Sequence, residues 1–178
     1  VNAQAPDATR PADAPALDAA EAAAWVRLAA LVELLPAVLD SQLRRDAGLT
    51  HFEYLVLAML ESAPDRVLRM SALAARTSAT LPRLSHVVSR MEGRGLVRRR
   101  PCPQDGRASN VELTDEGEAA LRDASPGHEA TVRRYVFDVL ERDQVHQLTD
   151  ITQAILRTID PGGTMTALCQ RPVPGRTA

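Results

Sequence analysis

Between Leu17 and Ile159 the apolar residues recur at helical spacing almost throughout, and only near 97–113 do they alternate with period two. A chain patterned in this way cannot close a barrel or stack two sheets. It must pack helices around a small hairpin, so a mainly α fold is expected. The flanks carry no such period. Residues 1–16 are Ala, Pro and polar, and 161–178 contain little beyond PGG and RPVPG, so both ends read as flexible tails.

Punctuation divides the periodic stretch. From Leu17 to Arg45, Trp25, Leu28, Leu31, Val32, Leu35, Val38, Leu39 and Leu43 form one stripe, which Pro36 should kink and Gly48 should end. Thr50 followed three residues later by Glu53 is a capping box that starts a second helix, running to about Ser62. After a loop at Pro64 and Asp65, Ser71 is expected to cap a short helix over 72–76, and the TSAT turn leads to a helix over about 81–94. There Leu81, Leu84, Val87, Val88 and Met91 fall within about one third of the circumference. Pro82, Arg83, Ser85, His86, Ser89, Arg90 and Arg94 occupy the rest, with His86 near the middle of the polar face. Pro82 is tolerated in a first turn, and Gly95 is placed to end the helix in the left-handed region. Residues 96–100 and 108–113, joined by PCPQDG, read as a β-hairpin. Thr114 with Asp115 and Glu116 opens the remaining helical stretch to about Ile159, expected to break or bend at Pro126-Gly127.

Charge is partitioned along the same lines. The formal net charge of −2 hides ten Arg against Glu92 and Asp105 over residues 66–107, a net +8, and eleven Arg against 21 acids elsewhere, a net −10; there is no Lys. Guanidinium stays charged and binds phosphate bidentately, so an all-Arg segment between acidic flanks suits a nucleic-acid face, although a solvated surface in an Arg-rich composition has the same look. Five scattered aromatics, Trp25, Phe52, Tyr54, Tyr135 and Phe137, are too few for a base-stacking platform. Two Cys, 102 and 169, make neither a disulfide framework nor a zinc ribbon, and His51, His86, His128 and His146 lack ligand spacing, so no metal, cofactor or catalytic role is expected. Ser85 and His86 point about 100° apart on a helix and form no nucleophile–base pair. No apolar run is read as reaching the roughly 20 residues of a bilayer span, and the N-terminus lacks the n- and h-regions of a signal peptide, so a cytoplasmic protein without membrane attachment is expected.

Helix, short helix, turn, amphipathic helix and hairpin, in that order, make a winged helix-turn-helix, and the +8 segment covers the elements such a fold presents to DNA. Asp105-Gly106-Arg107, five residues, then Leu113-Thr114, set after Gly95-Leu96-Val97, resembles the wing of the MarR family of bacterial transcriptional regulators. The stretch 84–121 is similar to that family's recognition helix, wing and following helix, and the element order matches over about 17–159. Pro82 and Gly106 depart from the residues usual there. The resemblance implies an obligate homodimer: a dimerisation helix over 17–48, a winged helix-turn-helix over 49–114, and further dimerisation helices over 115–160. The long apolar stripes at both ends favour the same assembly.

The expected function is that of a dimeric, sequence-specific repressor of double-stranded DNA, released by a small-molecule effector. Thr80, Arg83, Ser85 and His86 are expected at bases or nearby phosphates, Arg90 as a backbone clamp, and Ser71, Arg98 and Arg100 at phosphates, with Arg94 and Arg99 merely solvated. Arg107 would enter the minor groove while Asp105, by resemblance, braces the wing through an ion pair. The operator would be a pseudo-palindrome with half-sites about 10 bp apart. An effector pocket between dimerisation helices and lobe, again by resemblance, would be lined by Trp25, Leu28, Phe52 and Tyr54. Three other readings stay open: a helical interaction protein without DNA, a weakly specific architectural DNA binder, and a regulator with Cys102 as a thiol switch.

Overall fold

The computed structural model describes residues 15–102 and 105–166, apart from the side chains of 102–108. The elements are α1 (Ala19–Ala47), α2 (His51–Glu61), β1 (Val67–Arg69), α3 (Met70–Arg76), α4 (Leu81–Gly93), β2 (Val97–Cys102), β3 (Asp105–Leu113), α5 (Asp115–Val132) and α6 (Arg142–Ile159). Contacts divide the chain at Pro36 into a short unit and a larger one that begins at Ala37.

The short unit is the first part of α1. Asp18 caps it, accepting the Ala20 and Glu21 amides at 2.7 and 2.9 Å, while Glu21 Oε2 accepts the Asp18 amide at 2.8 Å. This Asp-x-x-Glu box is a local sequence signal that the reading of α1 from its apolar stripe alone does not use. The helix continues through Pro36 to Ala47, with Trp25, Val26, Leu28, Leu31, Val32 and Leu34 exposed along it. By length and composition α1 could cross a membrane. The expectation that no run reached that length is therefore corrected. Its alanines supply the missing apolar residues between the Leu and Val positions, leaving only Arg27 and Glu33 charged over 22–39.

In the larger unit, Gly48 leaves α1 at φ +63°, and the Thr50 capping box forms as expected. Val56, Leu57, Met59 and Leu60 of α2 meet Leu73 of α3, Leu84, Val88 and Met91 of α4, and Val97 and Val111 of the sheet in one buried core. Each such side chain contributes roughly 1.5–3 kcal/mol by leaving water. Leu121 and Ala124 bring α5 onto it.

The sheet has three strands, not two. β3 lies in the middle, paired antiparallel with β2 in the hairpin and with β1, where Val67, Leu68 and Arg69 face Glu112, Val111 and Asn110. Three residues are too few to show an alternation, and the partner is more than 40 positions away, so β1 left no periodic signal. α3 follows it directly and starts at Met70 with Arg69 at its N-cap, so Ser71 lies inside the first turn and caps nothing.

α5 runs unbroken through Pro126-Gly127, correcting the expected interruption. Arg122, whose carbonyl loses its helical donor, and Pro126 itself are exposed, so the lost bond falls on the solvent side of the helix and not in the core. The break comes later, at a π-turn over Arg133–Phe137, after which Glu141 and Gln144 form a capping box for α6. α6 buries no residue, and Ile151, Ile155 and Ile159 are exposed.

Candidate nucleic-acid interface

The helix-turn-helix is built from α3 and α4. In the turn between them, buried Thr77 donates its hydroxyl to the Leu73 carbonyl at 2.8 Å, Ser78 takes a left-handed φ of 48°, and the Ala79 amide returns to Ala74 O at 2.9 Å. Thr80 then caps α4, its Oγ1 accepting the Arg83 amide at 3.4 Å, and Pro82 sits in the first turn as expected.

α4 buries Leu84, Val87, Val88 and Met91 and turns Pro82, Arg83, His86, Ser89 and Arg90 outward, with Ser85 half-buried. Its two flanks are held differently. On one, the Arg83 guanidinium lies 4.6 Å from the centroid of the Phe52 ring of α2. Arg90 Nη2 donates to Glu53 Oε1 at 3.3 Å, and Arg94 reaches Glu53 Oε2 at 3.5 Å and the Gly48 carbonyl at 3.1 Å. On the other flank, Arg99 of β2 donates to the Ser85 carbonyl at 2.6 Å and to Ser85 Oγ at 3.3 Å, while its amide donates to Glu92 Oε1 at 2.8 Å. Arg94 and Arg99 are therefore not merely solvated. Both tie α4 to its neighbours.

Strand alternation sorts the remaining arginines. Arg99 faces α4, whereas Arg98 and Arg100 point to the opposite face and are exposed. Arg100 pairs with Glu112 at 2.5 Å. Arg66 makes a bidentate bridge to Glu118 of α5 at 2.6 and 2.8 Å. Ser71 and Thr80 are exposed at the starts of α3 and α4. The side chains of Asp105, Arg107 and Cys102 lie outside the described residues, so the wing-bracing and minor-groove assignments concern atoms not described.

The four residues expected to line an effector pocket divide between the two units. Trp25 and Leu28 are exposed on α1. Phe52 turns toward Arg83 of α4, and Tyr54, two positions on, turns toward α5, its ring 4.3 Å from that of His128 and its hydroxyl 3.2 Å from Ser125 Oγ. His51 stacks on His128 at 6.0 Å. Burial raises the pKa of the Tyr54 phenol, the Ser125 hydrogen bond opposing it. Burial lowers the pKa of His51, and burial followed by the proximity of His51 lowers that of His128. Among the described residues no group of three or more His, Cys, Asp or Glu could hold a metal ion.

Sequence reasoning treated Glu53 only as a cap and omitted Ser89 from the candidate contacts. The first is a long-range pairing with no local signature. The second was visible on the helical wheel.

These elements have counterparts among known proteins. The MarR family model matches residues 47–108, from the end of α1 into β3. A solved MarR family transcriptional regulator, Sco3205 from Streptomyces coelicolor, is 41% identical, with 84% of this chain and 94% of that one covered and a TM-score of 0.79. This chain belongs to the MarR family. Sco3205 was crystallised in complex with DNA. The HTH-type transcriptional repressor YetL of Bacillus subtilis is 33% identical over 81 residues, 46% of this chain and 48% of that protein, so the chain spans about half the length of that curated relative. CouR from Rhodococcus jostii, solved with p-coumaroyl-CoA, is 25% identical, with 74% of this chain and 90% of that one covered and a TM-score of 0.64.

Proposed function

We propose that this MarR-family chain is a sequence-specific, double-stranded-DNA-binding transcriptional regulator that acts in the cytoplasm as a homodimeric repressor released by a small molecule. One observation carries the reading. The outward face of α4 presents Pro82, Arg83, His86, Ser89 and Arg90 with no carboxylate among them, while Glu53 and Glu92 are turned to its flanks and engaged there. Such a face suits the major groove, with phosphate contacts fixing the register and His86, Arg83 and Ser85 reaching base edges. Thr80 and Ser71, at helix starts, are assigned to phosphates, as are Arg98 and Arg100 on the sheet, whereas Arg90, expected as a backbone clamp, is engaged by Glu53 at 3.3 Å. Arg107 takes the minor groove, with Asp105 bracing the wing.

The exposed apolar side chains of α1 and α6 support the dimer, since surfaces of this kind need a cover. Two copies would read a pseudo-palindrome. The effector reading rests on CouR's ligand and assigns Trp25, Leu28, Phe52 and Tyr54 to the sensing region. No catalytic role or cofactor is assigned.

The test is equilibrium binding to duplexes across a salt series. Wild type should show a steep fall of affinity with salt, and R98A should make the log–log slope shallower by about 0.9 if Arg98 neutralises one phosphate. A protein without salt-dependent duplex affinity refutes the regulator.

A further inference from the structure

Two consecutive residues at the start of α2 grip three arginines of the recognition-helix segment. Arg83, Arg90 and Arg94 are seven and four positions apart, so at ~100° per residue they lie within about 40° of one another around the helix axis. This stripe forms one flank of the reading face, docked by Phe52 on Arg83 and by Glu53 on Arg90 and Arg94. The Glu53 side chain is only 4% exposed, whereas Arg90 and Arg94 are 52% and 42% exposed. Its Oε2 also accepts the Thr50 amide at 2.8 Å. That cap needs only an acceptor, which Gln supplies as well as Glu. The negative charge also complements the N-terminal end of α2 and acts on Arg44 of α1, but its ion-pair partners are Arg90 and Arg94 of the α4 segment.

We propose that Glu53 is a positioning residue for DNA reading: its buried charge sets the roll of α4 about its axis and withholds Arg90 and Arg94 from the phosphate backbone. The DNA consequence rests on the regulator reading, but the holding of α4 by Glu53 does not. A carboxylate this buried is stable as an ion only with its guanidinium partners and is an uncompensated charge without them, whereas Arg90 and Arg94, 52% and 42% exposed, keep their contact with solvent.

The experiment uses the full chain and the variant E53Q, alone and combined with R90M/R94M. In thermal unfolding of the free protein, E53Q should lower Tm in the wild-type background and raise it in R90M/R94M, where it removes a stranded charge. R90M alone gives the same cycle with a milder change. For DNA, the probes are a duplex selected by the wild-type protein from a random pool and an unselected random duplex. E53Q should weaken the selected duplex about tenfold and strengthen the random one. Its salt slope should steepen by about 0.9 for each freed guanidinium that reaches a phosphate. A shift of Tm in the same direction in both backgrounds, or an E53Q protein with wild-type affinities and slope, overturns the proposal. Absence of DNA binding by the wild type, with the reversal of sign intact, refutes the regulator and leaves Glu53 as the residue that holds α4.

Discussion

Gly117 lies at the third position of α5, where helix propensity alone favours alanine by about 1 kcal/mol. The structure reverses that sign. A Cβ there would stand 2.0 Å from the Leu96 carbonyl oxygen, 2.8 Å from Leu113 Cδ1 and 3.0 Å from the Leu96 carbonyl carbon. The first and last of these are backbone atoms of the turn that joins α4 to β2, so no rotamer relieves the clash. Relief requires the start of α5 to retreat by roughly 1 Å, a packing strain of the kind that costs about 1–3 kcal/mol. The same retreat stretches two bonds that tie Thr114 to that turn: its hydroxyl to Gly95 O at 2.6 Å and its amide to Leu96 O at 3.3 Å. Each contributes about 0.5–1.5 kcal/mol. After the propensity gain is subtracted, Gly117→Ala should destabilise by about 1–5 kcal/mol, with about 3 at the centre, where the fall in Tm is about 6–12 °C for a chain of this size. Urea titration followed by circular dichroism at 25 °C and a thermal scan measure it. A Gly117→Ala protein as stable as wild type, or more stable, refutes the claim that close backbone approach fixes this residue.

Two further outcomes follow from the packing around α2 and α4. His51 and His128 both have folded pKa values below the ordinary histidine value, so as pH falls below about 6.5 the unfolded chain takes up protons first and stability is lost until the folded values are reached. Tm should be flat above about pH 7 and fall toward pH 5, and H128Q should flatten that fall; an unchanged profile in H128Q counts against the pair. R99M removes the grip of β2 on Ser85 and should destabilise by about 1–3 kcal/mol, weakening DNA binding while leaving the salt slope unaltered because Arg99 faces α4; a shallower slope would show that it touches phosphate.

The larger elements were legible because their signals are local. Thr50 with Glu53, Thr80 with Pro82, Gly48, Gly95 and Thr114 mark boundaries that the structure places where the sequence reading puts them. Errors arose where a boundary depends on solvent or on a distant strand. Pro126 breaks nothing because it lies on the exposed side of its helix, and Val67–Arg69 becomes a strand only because β3 offers an open edge. Which residues of α4 are buried and which exposed was largely recoverable from helical spacing alone. What its arginines do was not, since Glu53, Ser85 and Glu92 engage Arg90, Arg94 and Arg99 across turns that no periodicity encodes.

The strand order β1-β3-β2 has a mechanical meaning. β3 is bonded along one edge to the other arm of the hairpin and along the other to the segment that runs straight into α3, with Arg69 opposite Asn110 one residue before that helix begins. Arg99 adds a tie from the hairpin to α4. Hairpin and helix-turn-helix are thus bolted to a common frame, behaving as a stamp with a fixed relief and not as independently jointed fingers. On the regulator reading proposed above, a signal that alters DNA binding would have to tilt or separate whole stamps, because the spacing between features on each one is set by hydrogen bonds inside a sheet.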